Sequence, residues 1–240
     1  MAPTVILIRH AEAEHSLGPQ CQELNAYLKN HVPLAERVEL IVSSPMRRTL
    51  QTATQSLDWL IARGVPVVLR AEWQENSDKP CDTGTSIADM RQEWPQFSWD
   101  SVDPDYPSKS GLYEFSKDGL LQRGIEARRW LKSRPEKVIA VVSHSGFLRV
   151  GVSFRKYENA DFRVFEFAAG NEFDDVGGKL VEWEMTATKG GGLGKSPPGI
   201  FDFDPADVPG EARTRRELSE AVSERPEREG REGKARGGFA

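Results

Sequence analysis

The stretch VILIRHAE at residues 5–12 decides the fold of this chain. It begins with a short apolar run that no polar residue interrupts, a pattern typical of a strand buried on both faces of a mostly parallel sheet. A second run of the same kind, VIAVVSHSG, occupies residues 138–146. The two runs predict an α/β fold in which both strands lie inside the sheet.

Each of these runs ends in a histidine beside a small residue, His10 in the first and His144 in the second. Ligand and catalytic groups of such sheets collect beyond the carboxyl ends of the strands, which is where both histidines fall. A lone histidine after a strand is usually a loop residue with a satisfied hydrogen bond. Two of them in matching contexts, with Arg9 adjacent to the first, favour a functional site and suggest phosphate chemistry.

A third segment, SSPMRRTLQTA at residues 43–53, has the pattern of a strand end followed by a helix. We interpret Ser44 as the N-cap and Pro45 as the first helical residue, with the helix running to about residue 62. Arg47 then lies in the first turn, where exposed N–H groups and the helix dipole favour an anion. Arg47 or Arg48 alone would more often be a solvated surface charge, and the strand–Ser–Pro–helix context makes Arg47 the ligand candidate.

These three segments, LIRHAE (7–12), SSPMRRTLQTA (43–53) and VSHSG (142–146), resemble the core motifs of the histidine phosphatase superfamily. They occur in the family's order, and the resemblance spans roughly residues 4–188. It implies the phosphoglycerate mutase-like fold, which is a three-layer α/β/α sandwich with a mostly parallel central sheet.

The resemblance also implies roles for individual residues. His10 would be the phosphorylated nucleophile, and Arg9, Arg47 and His144 would hold the phosphoryl group. The residue chemistry agrees, because guanidinium groups match phosphate oxygens and a neutral histidine can attack without a dedicated base. Four cationic or cationisable groups around one phosphate make a metal unnecessary, so we expect neither a metal nor another cofactor.

The leaving oxygen needs a proton, and the resemblance places its donor after the third strand, within residues 71–84. Glu75 is our choice and Asp78 the alternative. Asp78 can also be read as a turn former in the loop around Pro80 and Gly84. This loop in addition resembles that of a fungal phosphoglycerate mutase-like subgroup composed mainly of phosphatases.

Two positions depart from the family's pattern. Ala11 replaces the glycine usual after the first histidine, and Ser145 replaces one of two glycines that often follow the second. Ser145 could bind the phosphate through its hydroxyl or cap the helix that follows, and capping is the favoured reading. Neither change removes a catalytic functional group.

Composition limits the classes of partner. The 240 residues carry a net charge of −5, which argues against a general nucleic-acid or anionic-membrane binder. No stretch approaches the roughly 20 apolar residues of a membrane-spanning helix. With only two cysteines, no disulfide framework is expected, and we predict a cytoplasmic protein. The expected partner is a small phosphorylated substrate, and the oligomeric state is left open.

Residues 1–188 are expected to form one domain, with a substrate lid inserted at about residues 76–115. Aromatic residues of the lid could contact a ring-bearing leaving group or pack a core of the lid's own; they are Trp94, Phe97, Trp99, Tyr106 and Tyr113. Residues 189–240 are rich in glycine and charge, and we expect a disordered or weakly ordered tail.

The leading hypothesis is a metal-independent phosphatase that hydrolyses phosphate monoesters through a phosphohistidine. A phosphoglycerate mutase-type phosphotransferase is the main alternative, and a hydrolase of organic diphosphates is a variant of the leading hypothesis. A non-catalytic phospholigand-binding module is less consistent with an intact set of site residues.

Overall fold

A six-stranded mixed sheet is the centre of the fold. The computed structural model describes residues 1–12, 17–169 and 178–201. Within these ranges the strands are β1 (Thr4–Arg9), β2 (Leu40–Ser43), β3 (Val67–Leu69), β4 (Val138–Ser143), β5 (Phe162–Phe167) and β6 (Leu180–Glu182). Their order across the sheet is β3-β2-β4-β1-β5-β6. The strands β3, β2, β4 and β1 are parallel neighbours, while β5 pairs antiparallel with both β1 and β6.

Helices cover both faces of this sheet. The α-helices are α1 (Leu17–His31), α2 (Arg47–Ser56), α3 (Asp58–Ala62), α4 (Ile87–Glu93), α5 (Lys117–Lys132), α6 (Ser145–Phe147) and α7 (Glu184–Ala187). Alternate strand residues point to opposite faces. Ile6 and Ile8 therefore share a core with residues of α1 to α3, whereas Val5 and Leu7 pack with residues of α5 and α6. The predicted three-layer α/β/α architecture is confirmed.

The second helix starts later than the sequence predicts. The Ser44 amide donates to the carbonyl of Val142, so the backbone of Ser44 still continues the pairing of β2 with β4 and Ser44 does not cap a helix. Met46 is the N-cap residue and α2 begins at Arg47. The predicted single helix is also divided, because Leu57 leaves helical geometry between α2 and α3. This shift of about two residues changes which arginine faces the sheet.

The inserted segment at residues 76–115 has a hydrophobic core of its own beside β3 and α2. Phe97, Trp99, Tyr106 and Tyr113 are buried there together with Met90 of α4. The aromatic residues therefore fill the lid, and Trp94 packs partly buried against the same cluster. Of the two interpretations of these aromatic residues, the one in which they pack a core of the lid's own matches the geometry.

The segment at residues 189–201 packs against the domain although glycines interrupt any regular element. Gly192 donates its amide to the carbonyl of Phe162, and Phe201 donates to that of Phe154. Ser196 is buried. The rest of the predicted tail, residues 202–240, lies outside the described residues.

Among the helices of the described ranges, none combines the length and the apolar character that crossing a bilayer requires.

Candidate active site

The two histidines meet where β1 and β4 end. Arg9 is in register with Ser143, and the amide of His10 donates to the Ser143 carbonyl at 2.9 Å. Because parallel neighbours end at the same edge of a sheet, the side chains of His10 and His144 lie side by side. Their ring centroids are 5.0 Å apart in an edge-to-face arrangement.

The hydrogen bonds of His10 define its tautomer. Its Nδ1 lies 2.6 Å from the carbonyl oxygen of Ala11, which can only accept, so Nδ1 carries the proton. Nε2 therefore keeps a lone pair, and it accepts from Nε of Arg48 at 3.0 Å. Burial and the nearby charge of Arg48 lower the pKa of His10 from 6.5 to about 3. His10 is thus neutral at physiological pH, with Nε2 directed at the arginine.

His144 is fully buried and has the opposite tautomer. Its Nδ1 accepts from Nε of Arg48 at 3.2 Å, so the proton lies on Nε2, which donates to Oγ of Ser44 at 3.0 Å. Burial is the largest influence on its pKa, followed by the charge of Arg48, and the pKa falls well below 6.5. An anion bound between the two rings would oppose this shift and favour protonation of His144.

Arg48, and not Arg47, is the arginine that α2 directs at the histidines. Arg47 is half-exposed and pairs with Glu93 at 2.5 Å, which holds its guanidinium away from the two rings. The prediction that Arg47 lies at this position is corrected, because α2 begins two residues later than the sequence pattern suggests. Nη1 of Arg48 also donates to the Cys81 carbonyl at 2.7 Å. Arg48 therefore joins the loop after β3 to both histidines.

Arg9 approaches the same place from β1. Its Nη1 donates to the carbonyl of Tyr157 at 2.7 Å, and its Nε is buried with no hydrogen-bond partner among the described residues. Ser145 also donates to the Tyr157 carbonyl, at 3.4 Å. His144 is the N-cap residue of α6 and Ser145 is its first residue, so the favoured reading of Ser145 as the cap is corrected. Burial lowers the pKa of the guanidiniums of Arg9 and Arg48, and both remain cationic at any working pH.

Glu75 lies on the loop after β3 and reaches the turn that follows β4. Its carboxylate accepts from the amides of Gly146 at 3.2 Å and Phe147 at 3.1 Å. Its charge also acts on Arg9 and Arg48. The alternative candidate, Asp78, is exposed, and its backbone carbonyl closes a turn with Thr83. Of the two carboxylates, Glu75 is therefore the one at the site.

Gly146 is required for this contact. A Cβ at this position would lie 2.5 Å from Oε1 of Glu75 and 2.9 Å from Nδ2 of Asn76. A side chain on residue 146 would therefore displace the carboxylate from the two amides. This explains why a glycine follows the small residue after His144.

Lys109 is a residue near the site that the sequence did not assign to it. It extends from the lid, and its Nζ donates to Oε1 of Gln74 at 2.9 Å and to the backbone carbonyl of Glu75 at 2.6 Å. Burial, reinforced by the charge of Arg123, lowers the pKa of Lys109 to about 8. Nothing in the local sequence pattern signals this contact, which depends on the path of the lid across the loop.

A groove of about 450 Å³ opens beside Arg48, between α2 and residues 80–85. Its polar lining side chains include Arg47, Gln51 and Thr83. Two histidines, two guanidiniums and a carboxylate thus converge next to a polar groove. This set can hold a tetrahedral oxyanion, attack it and supply a proton.

Comparison with known proteins identifies the family. The model of the family described as "Histidine phosphatase superfamily (branch 1)" matches residues 5–172, which include every site residue named above. This chain belongs to the histidine phosphatase superfamily. The family assignment predicted from the three motifs is therefore confirmed, and the chain is a phosphatase- or mutase-like protein.

Relatives within the histidine phosphatase superfamily carry both kinds of name. A probable phosphatase of Schizosaccharomyces pombe is 26% identical over 179 residues, covering 65% of this chain and 81% of its own. A phosphoglycerate mutase-like protein of Arabidopsis thaliana is 29% identical over 196 residues, covering 60% and 72%. Among solved structures, mycobacterial hydrolase 1 aligns with a TM-score of 0.45 and 19% identity over 76% of this chain and 98% of its own. The family assignment does not depend on that structural similarity.

Proposed function

We propose that this chain is a metal-independent phosphatase that hydrolyses small phosphate monoesters through a phosphohistidine on His10. The observation that carries this proposal is the tautomer of His10. Its Nδ1 is tied to the Ala11 carbonyl, which leaves the lone pair of Nε2 directed at Arg48 and next to His144. A neutral imidazole with its lone pair facing a cationic pocket is prepared to attack phosphorus without a base.

The phosphoryl group is held by the cations that surround Nε2. Charge-assisted hydrogen bonds from guanidinium groups to phosphate oxygens are stronger than the bond from Arg48 to a neutral imidazole. A bound phosphate oxygen therefore replaces His10 Nε2 as the acceptor of the Arg48 Nε–H, which frees the lone pair. Arg9 contributes its buried Nε–H, which has no hydrogen-bond partner in the described part of the chain. His144, protonated beside the dianion, supplies a third donor.

The first chemical step forms a P–N bond and breaks a P–O bond. The Nε2 lone pair attacks phosphorus, and the bonding electrons leave with the ester oxygen. Glu75 donates its proton to that oxygen, so the product leaves as an alcohol.

The second step reverses the proton transfer. The Glu75 carboxylate takes a proton from water as the water oxygen attacks phosphorus. The P–N bond breaks, its electrons return to Nε2, and inorganic phosphate is released. One carboxyl group thus serves as acid and then as base, and the backbone amides of Gly146 and Phe147 fix its position for both.

A mutase is the second candidate, because several relatives are named phosphoglycerate mutase-like. A mutase of carboxylated sugar acids needs cations to clamp the substrate carboxylate. Lys109 supplies a lid cation, but its amine already bonds to Gln74 and to the carbonyl of Glu75. Arg47 is likewise paired, with Glu93. These engagements favour hydrolysis over transfer.

Both cysteines, Cys21 and Cys81, are free thiols. This supports the cytoplasm as the proposed compartment, since glutathione keeps thiols reduced there.

The test is turnover of p-nitrophenyl phosphate by chelator-treated protein, together with trapping of an acid-labile, alkali-stable ³²P-protein. Wild-type protein should hydrolyse the ester and form the labelled species, and His10→Ala should do neither. His31→Ala is the matched control, because His31 is exposed at the end of α1.

Each outcome separates the candidates. Labelling that persists in water and transfers to an added hydroxyl acceptor would support the mutase. Phosphate binding by folded protein, with neither labelling nor turnover, would exclude both enzymes and leave a binding module.

A further inference from the structure

We propose that the glycine-rich segment Lys189–Ser196 is a positioning element for the guanidinium of Arg9, with Ser196 as its positioning residue. The segment acts through the loop at residues 157–161, which lies between it and the end of β1. This inference rests on the proposed function, because it assigns the segment to the same phosphate site.

The first set of contacts joins the segment to the loop. Ser196 donates its hydroxyl to Oδ2 of Asp161 at 2.6 Å and accepts from the amide of Glu158 at 2.9 Å. The backbone amides of Ser196 and Leu193 donate to the same Asp161 carboxylate at 3.1 and 2.9 Å. The Ser196 hydroxyl therefore holds two points of the loop at once.

The second set joins the loop to the site. The carbonyl of Asp161 accepts from the amide of Arg9 at 3.1 Å, and the carbonyl of His10 accepts from the amide of Ala160 at 3.2 Å. The guanidinium of Arg9 donates to the Tyr157 carbonyl at 2.7 Å and lies 3.8 Å from the Glu158 carboxylate. Backbone and side chain of Arg9 are thus both fixed by the loop.

Burial makes the first set of contacts rigid. Asp161 has no solvent exposure and Ser196 only 4%. A buried carboxylate requires hydrogen-bond donors to compensate for the loss of water. With the amide of Phe162, the Asp161 carboxylate has four donors, and three of them come from the 189–196 segment. Without the segment, Asp161 would lose most of its donors and the loop would lose its anchor.

The glycines allow the segment to approach this closely. Gly191 has a φ of +87°, in the left-handed region that glycine tolerates, and a Cβ on it would overlap the Asp161 carboxylate. A Cβ on Gly192 would overlap the ring of Phe162. The glycine run that reads as the start of a disordered tail is therefore what the contact with the loop requires.

The experiment is a double-mutant cycle on the full chain, with Ser196→Ala and Arg9→Gln as its two changes. The readouts are kcat/KM for p-nitrophenyl phosphate and the inhibition constant of inorganic phosphate. Ser196→Ala should lower kcat/KM and weaken phosphate inhibition about tenfold. In the Arg9→Gln background, the same change should alter either quantity less than twofold, because its route of action has been removed.

Thr188→Ala is the matched control. Its hydroxyl also donates a hydrogen bond, in this case to the backbone carbonyl of Glu184, but Thr188 is exposed and has no hydrogen bond to the loop among the described residues. It should leave both readouts unchanged. If Ser196→Ala lowered kcat/KM and weakened phosphate inhibition equally in the wild-type and Arg9→Gln backgrounds, the inference would be overturned. The segment would then only stabilise the fold.

A second measurement covers the case in which Ser196→Ala does not fold. In wild-type protein, phosphate should slow hydrogen exchange at the amides of Leu193 and Ser196, because ordering Arg9 also orders the loop. Unchanged exchange at both amides under saturating phosphate would overturn the inference. Failure of the proposed function looks different: wild-type protein would not hydrolyse p-nitrophenyl phosphate, whatever phosphate does to exchange at these two amides.

Discussion

Arg47 and Arg48 are adjacent in the chain, yet one faces solvent and the other contacts both histidines. We predict that Arg48→Gln lowers kcat by about 10²–10³-fold, the usual cost of losing one donor to a developing oxyanion. Arg47→Gln, the matched control, should stay within a few-fold of wild type. Steady-state kinetics of the two variants test this, and similar losses in both would contradict the placement of Arg48.

Gly146 tests the role of Glu75 without changing its carboxyl group. In Gly146→Ala the added methyl group takes the place of Oε1 of Glu75, which is the end of a flexible side chain and can move at small cost to stability. We therefore expect kcat to fall about as far as in Glu75→Gln, by roughly 10²–10⁴-fold, while the melting temperature changes little. A Gly146→Ala enzyme with wild-type kcat would show that the carboxylate need not sit on the two amides.

Among individual site residues, the sequence predicted those that directly follow strand ends. It missed those whose positions depend on where a helix begins or on the course of a long insertion. His10 and His144 follow apolar runs whose ends must coincide in a parallel sheet. Which arginine faces the histidines depends on the residue at which α2 begins. Because the predicted start was two residues too early, the prediction named Arg47 in place of Arg48. Lys109 reaches Glu75 across the lid, and no local pattern encodes such a contact.

The backbone of α5 closely approaches that of the segment that follows His144. A Cβ on Gly124 of α5 would overlap the carbonyl of Gly151, and backbone cannot move aside as a side-chain end can. We predict that Gly124→Ala destabilises the protein by about 1–3 kcal/mol, as overpacking typically does. Gly18→Ala in α1 is the control, since its Cβ would meet nothing within 4 Å. Urea unfolding measures both, and equal midpoints would contradict the prediction.

The strands were predictable as elements because unbroken apolar runs rich in β-branched residues are typical of buried strands, and β1 and β4 cover the apolar parts of the runs at residues 5–12 and 138–146. The caps of α4 and α5 follow the general preference for serine at N-cap positions, since Ser86 and Ser116 accept from the amides three residues ahead. The packing of residues 189–201 against the domain was not predictable from the sequence. Glycine runs usually mark loops or tails, and only the partner, here Asp161, shows why the close approach is needed.

The whole molecule combines a net charge of −5 with a site in which cations predominate. Arg9, Arg48, Lys109 and Arg123 lie close enough to influence one another or the two histidines. Their fields hold both histidines neutral in the folded chain, in addition to the effect of burial. The arrangement that keeps His10 and His144 neutral therefore also makes the stability of the fold depend on pH.

The sign of that dependence follows from the direction of the two pKa shifts. Folding lowers the pKa of His10 from 6.5 to about 3 and that of His144 well below 6.5, so below pH 6.5 the unfolded chain binds more protons than the folded one. Stability that is present above pH 6.5 is therefore lost as the pH falls towards the folded-state values. Each histidine contributes a slope of at most about 1.4 kcal/mol per pH unit in this window.

We predict that His144→Gln reduces the slope of unfolding free energy against pH between 6 and 4 by about this amount, whatever its effect on absolute stability. Urea unfolding at several pH values measures the slope, with His31→Gln, an exposed histidine, as the control. A slope unchanged in His144→Gln would mean that His144 is not held neutral by the fold.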